Sequence, residues 1–227
     1  MDAKLILQEC SDLIYELMPE VMRRRFKIKY KSDNSPVTEA DYLIEKEVSA
    51  YLKSKVSDLV FVGEESFSLE EIDPNATIAL LDPIDGTENF CSGLKEWGTS
   101  LGIWKGGEHL ASMLLLPELG GKLATGDKVE KRTSRITGLS SSFHEDILKE
   151  IKDNQESRIT GCAVYNLYNV ATGAFKRFVN PKGAYAWDLL PGLMIALEQN
   201  CEVYVNGELY DGKFLQPNRK YRVDIRN

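Results

Sequence analysis

The sequence predicts an α/β fold, and three observations predict it. Apolar residues recur at helical spacing in two segments near the start of the chain, 5–22 and 42–52. Two short, uninterrupted apolar runs, Leu59-Val60-Phe61-Val62 and Thr77-Ile78-Ala79-Leu80-Leu81, have the character of strands buried on both faces. Three further extended segments, separated by Gly-Gly or Pro turns, have the layout of an antiparallel meander. A chain of 227 residues buries roughly 70% of the surface its unfolded form exposes, so a substantial core is available.

The first helix is carried by Leu5, Ile6, Cys10, Leu13, Ile14, Leu17 and Val21 and is interrupted by Pro19. Arg23-Arg24-Arg25 follows; cations at a helix end complement the dipole and solvate well, a reading preferred here over an anion site. Residues 27–30 alternate like a strand, and Lys31-Ser32-Asp33-Asn34-Ser35-Pro36 is loop chemistry. Thr38 stands where it can cap the second helix, with Asp41 three residues on in the spacing of a capping box. The meander strands fall at 101–104, 110–116 and 122–125 and close a first lobe.

Residues 126–142 are polar and poor in large apolar side chains, which places a lobe boundary among them and divides the chain into 1–131 and 132–227. Beyond it, 143–152, 165–172 and 185–199 carry helical patterns, 174–179 and 201–205 are extended, and short strands and turns follow from Asp211. No internal repeat interrupts this order. Trp97, Trp104 and Trp187 are read as core residues rather than stacking platforms.

Composition removes several classes of function. Lys and Arg number 28 against 35 Asp and Glu, a net charge of −7, which argues against nucleic acid held by counterion release. No apolar run approaches the ~20 residues that cross a bilayer, and Met1-Asp2-Ala3-Lys4 lacks the layout of a signal peptide, so a cytoplasmic protein with no membrane partner is expected. Cys10, Cys91, Cys162 and Cys201 lie far apart with no CxxC pair, which points to buried free thiols. With only His109 and His144 present, histidine-based metal sites and triads are short of parts. The chemistry falls to carboxylates.

The strongest signal is Leu80-Leu81-Asp82-Pro83-Ile84-Asp85-Gly86-Thr87, where a buried strand runs into two acids, and ligands of α/β proteins gather at such strand ends. Asp82 and Asp85 converge across a Pro83 turn on this reading; two close carboxylates repel unless a cation bridges them, and oxygen ligands suit magnesium or manganese. Gly86-Thr87 opens a short helix whose free amides suit a phosphate, or else Thr87 is a plain N-cap. Val62-Gly63-Glu64-Glu65-Ser66 is a second strand ending in acid, and Trp187-Asp188 puts a third where a helix begins. Taken singly, Glu64 with Glu65 also reads as a solvated pair and Asp188 as a complement to a helix dipole.

In this order the sequence resembles the inositol monophosphatase-like family of magnesium-dependent phosphatases, which includes bisphosphate-nucleotidase and histidinol-phosphatase relatives. The resemblance rests on Ser35-Pro36-Val37-Thr38-Glu39-Ala40-Asp41, Gly63-Glu64-Glu65-Ser66, Asp82-Pro83-Ile84-Asp85-Gly86-Thr87 with Asn89-Phe90, and Trp187-Asp188 with Pro191-Gly192. It implies an αβαβα layered sandwich, with an antiparallel sheet lobe and a smaller α/β lobe. It also implies two to three magnesium ions held by Glu64, Asp82, the carbonyl of Ile84, Asp85 and Asp188, with manganese as a substitute. Thr87, oriented by Asp41, would activate water together with Glu64, and the amides of Gly86 and Thr87 would hold phosphate. The implied reaction is hydrolysis of a small phosphorylated metabolite by direct attack of a cation-activated water, with lithium inhibition, in a chain that is often a homodimer.

The chain departs from the family pattern in its second half. Pro181 stands where inositol-selective members carry a glutamate, and Gly161-Cys162-Ala163 replaces a Gly-Ser-Ala segment on the substrate side. Phe175-Lys176-Arg177-Phe178 puts two cations in the substrate-selecting lobe; they hold a second phosphate or, as preferred here, face outward on an edge strand. Inositol phosphate, nucleotide bisphosphate and histidinol phosphate therefore all stand as substrates. A regulatory protein that keeps the fold without turnover is the reading from another class.

Overall fold

The computed structural model describes residues 1–227 except 69, 143, 154 and 155. Helix α1 (Ala3–Arg24) is capped by Asp2, whose Oδ1 accepts from the Leu5 amide at 3.1 Å. It runs unbroken through Pro19, contrary to the expected interruption. The carbonyl that loses its donor belongs to Tyr15, an exposed residue, so the missing bond faces solvent. A two-stranded ribbon, β1 (Ile28–Tyr30) and β2 (Pro36–Thr38), leads into α2 (Glu39–Lys55), which starts in the expected capping box of Thr38 and Asp41.

The triple arginine does not behave as a solvated helix end throughout. Arg23 is exposed, but Arg25 is buried, paired with Glu118 and donating to Leu94 O at 3.1 Å, with its guanidinium 4.6 Å above the Phe90 ring. The reason is tertiary: the chain turns under the segment that carries Phe90 just as α1 ends, so the last cation points inward.

The first sheet contains β3 (Leu59–Gly63) and β4 (Thr77–Asp85), then, after the short helix α3 (Thr87–Cys91), β5 (Gly98–Lys105), β6 (Glu108–Leu116) and β7 (Gly121–Ala124). The strands lie in the order β3-β4-β5-β6-β7; β3 and β4 are parallel and the rest form the antiparallel meander. The side-chain period of two explains the uninterrupted apolar run of β4. Ala79 and Leu81 join the core beneath α1 and α2, while Ile78 and Leu80 join a second core on the opposite face.

The second half supplies β8 (Ile136–Leu139), α4 (Glu145–Asp153), β9 (Glu156–Ile159), α5 (Ala163–Ala171), β10 (Arg177–Ala184), α6 (Ala186–Glu198), β11 (Glu202–Val205), β12 (Glu208–Leu209) and β13 (Tyr221–Arg226). Its sheet is mixed, in the order β12-β11-β13-β10-β8-β9. Helices α5 and α6 lie between the two sheets: Leu167, Leu189 and Leu193 share one core with Leu80 and Leu114 on one side and Phe178, Val203 and Ile225 on the other. A helix enclosed in this way must be apolar nearly all round, and Leu189, Leu190, Leu193, Ile195 and Ala196 of α6 are all buried. Helix α4 covers the outer face through Ile147, against Leu139 and Val179. The layers are therefore helix, sheet, helix, sheet, helix, as the resemblance implies.

Three expectations for the second half need correction. Strand β8 lies inside the polar stretch 126–142, where the sequence suggests a lobe boundary and no strand. The extended segment expected at 174–179 begins at Arg177 and is no edge strand, because β13 and β8 flank it; Pro181 is accommodated at its irregularity between Asn180 and Ala184. The helix expected from residue 143 starts at Glu145, and Phe143 lies outside the described residues. All four cysteines are free and buried, and Trp97, Trp104 and Trp187 are core residues.

Candidate metal centre

Two carboxylates three residues apart in a regular strand point to opposite faces. In β4, Asp82 pairs with Ser100 and Asp85 with Gly98, so three steps on one strand oppose two on the other. The extra residue is a bulge at Pro83-Ile84, and it returns Asp85 to the side of Asp82. The expected turn at Pro83 is thus a bulge inside the strand. The bulge is held by Thr99, whose hydroxyl donates to the Pro83 carbonyl at 2.8 Å, and Ser100 Oγ donates to Trp187 O at 2.6 Å, fastening the start of α6 to β5. Both hydroxyl residues are fully buried, and a polar pair inside an apolar strand was the available signal for them.

Glu64 follows the end of β3, and Asp188 lies in the first turn of α6, where its Oδ2 accepts from the Tyr185 amide at 2.8 Å. The dipole reading of Asp188 and its place in the cluster hold together. Ligand oxygens of Glu64, Asp82 and Asp188 lie within 4.8 Å of one another. Asp82 is buried and its Oδ1 has no hydrogen-bond partner. An unpaired carboxylate oxygen among acids is costly without a cation, so the donor set fits a hard divalent ion.

Asp85 adjoins this cluster and faces the second half of the chain, its Oδ2 accepting from Cys162 Sγ at 2.8 Å and from the Val164 amide. Gly86 caps α3 at φ +81°, where a Cβ would also sit 2.9 Å from that of Cys162, so both backbone and space require glycine. Thr87 Oγ1 donates to Ile84 O at 2.9 Å and lies 3.5 Å from Asp41 Oδ1. Asp41 is fully buried and its other oxygen is engaged by the amide and hydroxyl of Thr38, so the capping box and the approach to Thr87 are properties of one side chain.

The charges act on one another. Burial first, then the charge of Glu64, pushes Asp82 and Asp188 well above the ordinary aspartate range. Burial raises Asp85 to about 6 against the hydrogen bonds from Cys162 and Val164, raises Asp41 to about 6 against those from Thr38, and with Glu64 raises Glu65 to about 7. Lys31, read as part of a plain loop, reaches in between the two glutamates, 3.1 Å from Glu64 Oε1 and 2.9 Å from Glu65 Oε1. Glu45 supports the same loop from α2 by accepting from the Glu65 amide at 2.9 Å, and a Cβ at Gly63 would strike its carboxyl at 2.4 Å. Spacing in the sequence held no signal for either residue.

These shifts predict how stability depends on pH. Asp41, Glu45, Glu65, Asp82, Asp85 and Asp188 all hold protons in the folded, metal-free chain at pH values where the unfolded chain has released them. Stability should therefore fall as pH rises from about 4 to about 7. His109, held below its ordinary value by burial, acts in the opposite sense. So do the lowered carboxyls of Glu20, Asp33, Asp211 and Asp224, whose contribution lies at the acidic end, below their unfolded values. Urea midpoints in chelator should be higher near about pH 5 than near about pH 8, and magnesium should raise the value at the higher pH. A midpoint that climbs with pH in chelator would contradict the crowded-carboxylate picture.

Gly161, Cys162 and Ala163 line a cavity together with Asp85 and Asp188. Lys176 and Arg177 do not reach it. Lys176 is exposed, and Arg177 is bound to Glu150 at 2.6 Å and to Asp224 at 2.7 Å, so its charge is already matched. The outward reading of the pair thus needs amending for Arg177, which a neighbouring strand and α4 cover.

A model of the inositol monophosphatase family matches residues 5–223. Inositol monophosphatase 1 of Sus scrofa is 27% identical over 227 residues, spanning 84% of this chain and 81% of its own. An IMPase/NADP phosphatase solved with Mg2+ and phosphate matches at a TM-score of 0.78 and 20% identity, over 99% of this chain and 92% of that one. A staphylococcal inositol monophosphatase-1 in a lithium-soaked inhibitory complex matches at 0.80 and 17% identity, over 97% and 88%. At these identities the two structures show the shared fold.

Proposed function

Because the chain belongs to the inositol monophosphatase family, whose members hydrolyse phosphate monoesters, we propose that it releases phosphate from a small phosphorylated metabolite at the carboxylate cluster, with magnesium as the cation. The observation that carries this reading is the convergence of Glu64, Asp82 and Asp188 around the unpartnered Oδ1 of Asp82. Asp85 and the Ile84 carbonyl complete the ligand set, and manganese is the expected substitute. When bound, the ions supply charge neutralisation at the phosphoryl oxygens and acidify water.

The chain's own groups do the rest. The amides of Gly86 and Thr87 hold the phosphate at the start of α3, where backbone N–H groups are unpaired. Thr87, backed by buried Asp41, orients the attacking water, and Glu64 takes its proton, with Lys31 holding that carboxylate in place. Water attacks phosphorus in line and the leaving alkoxide departs, with no covalent enzyme intermediate. Positioning and charge supply the acceleration.

The test is phosphate release from inositol phosphates, histidinol phosphate, fructose bisphosphate and adenosine 3′,5′-bisphosphate, with magnesium or with chelator. Magnesium-dependent release from one of them is expected, and lithium should inhibit it. A folded protein that binds magnesium yet releases phosphate from none would favour the regulatory reading instead.

A further inference from the structure

The cavity beside the carboxylates, of about 200 Å³, holds more chemistry than phosphate release requires. Besides Asp85 and Asp188 its lining includes Ser140, Ser141, Ser142, Asn166 and Lys220. Lys220 is exposed and lies over the ring of Tyr185, its Nζ 4.8 Å from the centroid; Tyr185 in turn stacks on Trp187, 4.6 Å between centroids. The ammonium is therefore posed on an aromatic pair that opens α6, next to Asp188.

Three features set this corner apart. Among the described residues Lys220 makes no ion pair, whereas Arg25, Lys31 and Arg177 are each matched by acids. Ser140 Oγ is buried without a hydrogen-bond partner. Asn166 is almost wholly buried and spends its amide nitrogen on Cys162 O at 2.8 Å, leaving Oδ1 unpartnered. Both atoms are closed off from solvent, Asn166 Oδ1 lying against Gly138, so the donors that the cavity offers are Lys220 with the exposed Ser141 and Ser142.

The chemistry of the group they want can be read from the donors. Lys220 with the hydroxyls of Ser141 and Ser142 is a donor set for an anion. The geometry points to a second anion subsite, centred on Lys220, Ser141 and Ser142, so that the preferred substrate is a phosphate monoester with a further phosphate or carboxylate. This inference rests on the phosphatase reading for which end of the substrate is cleaved. It moves the second-anion role from Lys176 and Arg177, which do not line the cavity, to Lys220, which does.

Matched pairs of compounds test it: 3-phosphoglycerate against glycerol 3-phosphate for a carboxylate, and fructose 1,6-bisphosphate against fructose 6-phosphate for a second phosphate. The parent should favour the more anionic member of at least one pair by about 10- to 100-fold in kcat/KM, the range of a charge-assisted hydrogen bond. Lys220→Ala should collapse that ratio toward unity, mainly through KM, and Lys220→Arg should restore most of it. Calorimetric binding of the same four compounds gives a second readout that needs no turnover. Binding selectivity lost in Lys220→Ala without phosphate release from any compound would keep the subsite and overturn the phosphatase reading. Turnover with equal use of both members of each pair, or a preference that survives Lys220→Ala, would overturn the subsite. Since Lys220 is exposed and unpaired, the substitution should not disturb folding.

Discussion

Asp82→Asn should lower magnesium-dependent phosphate release by a factor on the order of 10³ or more, while the protein stays folded. Asn has the shape of Asp but not its charge, so the bulge in β4 and its hydrogen bond from Thr99 are kept. What is lost is the charged oxygen at the centre of the acidic cluster. Asp82 is also disfavoured as an ion in the metal-free chain, since burial and the charges of Glu64, Asp85 and Asp188 all oppose it. The thermal midpoint of metal-free Asp82→Asn should therefore match or exceed that of the parent. Magnesium should raise the parent's midpoint and leave the variant's nearly unchanged. Near-parental turnover, or a variant that unfolds more readily in chelator, would remove Asp82 from the proposed role.

The second large effect concerns stability, and it arises far from the carboxylates in sequence. Arg25→Ala should destabilise the protein by about 3 to 5 kcal/mol, because it leaves a largely shielded acid without its counter-charge. Arg25 and Glu118 are both largely shielded from solvent, and Glu118 also accepts from Trp97 Nε1 at 2.7 Å. Trp97 packs edge-on against Phe90, 4.9 Å between ring centroids, and the Arg25 guanidinium lies over that same Phe90 ring. The cluster thus ties the end of α1 to α3, the helix that begins at Thr87. Adding Glu118→Gln to Arg25→Ala should recover part of the loss by removing the stranded charge, which denaturant unfolding of the four proteins in a double-mutant cycle can read. If the single substitution costs less than about 1 kcal/mol, the pair behaves as an exposed one and the anchoring argument fails.

Much of the architecture was legible without coordinates. Helices α1, α2, α5 and α6 announce themselves by period, and Thr38 with Asp41 marks the start of α2 because capping is a local hydrogen-bond pattern. Strand β8 was missed, since four residues in a polar stretch carry too little pattern to stand out. Glu64 and Asp82 were visible because each ends an apolar run, and Asp188 because it stands where a helix begins. Their meeting was not, because Asp82 lies on one strand, Glu64 just beyond the end of its neighbour, and Asp188 on a helix more than a hundred residues later.

By itself the sequence determined which segments become helix and strand and which kind of chemistry the chain can offer, since period and residue type are local properties. Tertiary structure alone decided where charges end up. One extra residue at Pro83-Ile84 brings Asp85 round to Asp82, a register effect that no composition reveals. Of the cations singled out along the chain, Arg25 and Arg177 are spent on acids that packing places beside them, and Lys31 is drawn from a loop to Glu64. Lys220, unremarked in its turn-rich tail, faces the cavity unpaired. The physical reason is the same for each: a charge acts through distance and burial, and both are set only when the sheets and helices close on one another.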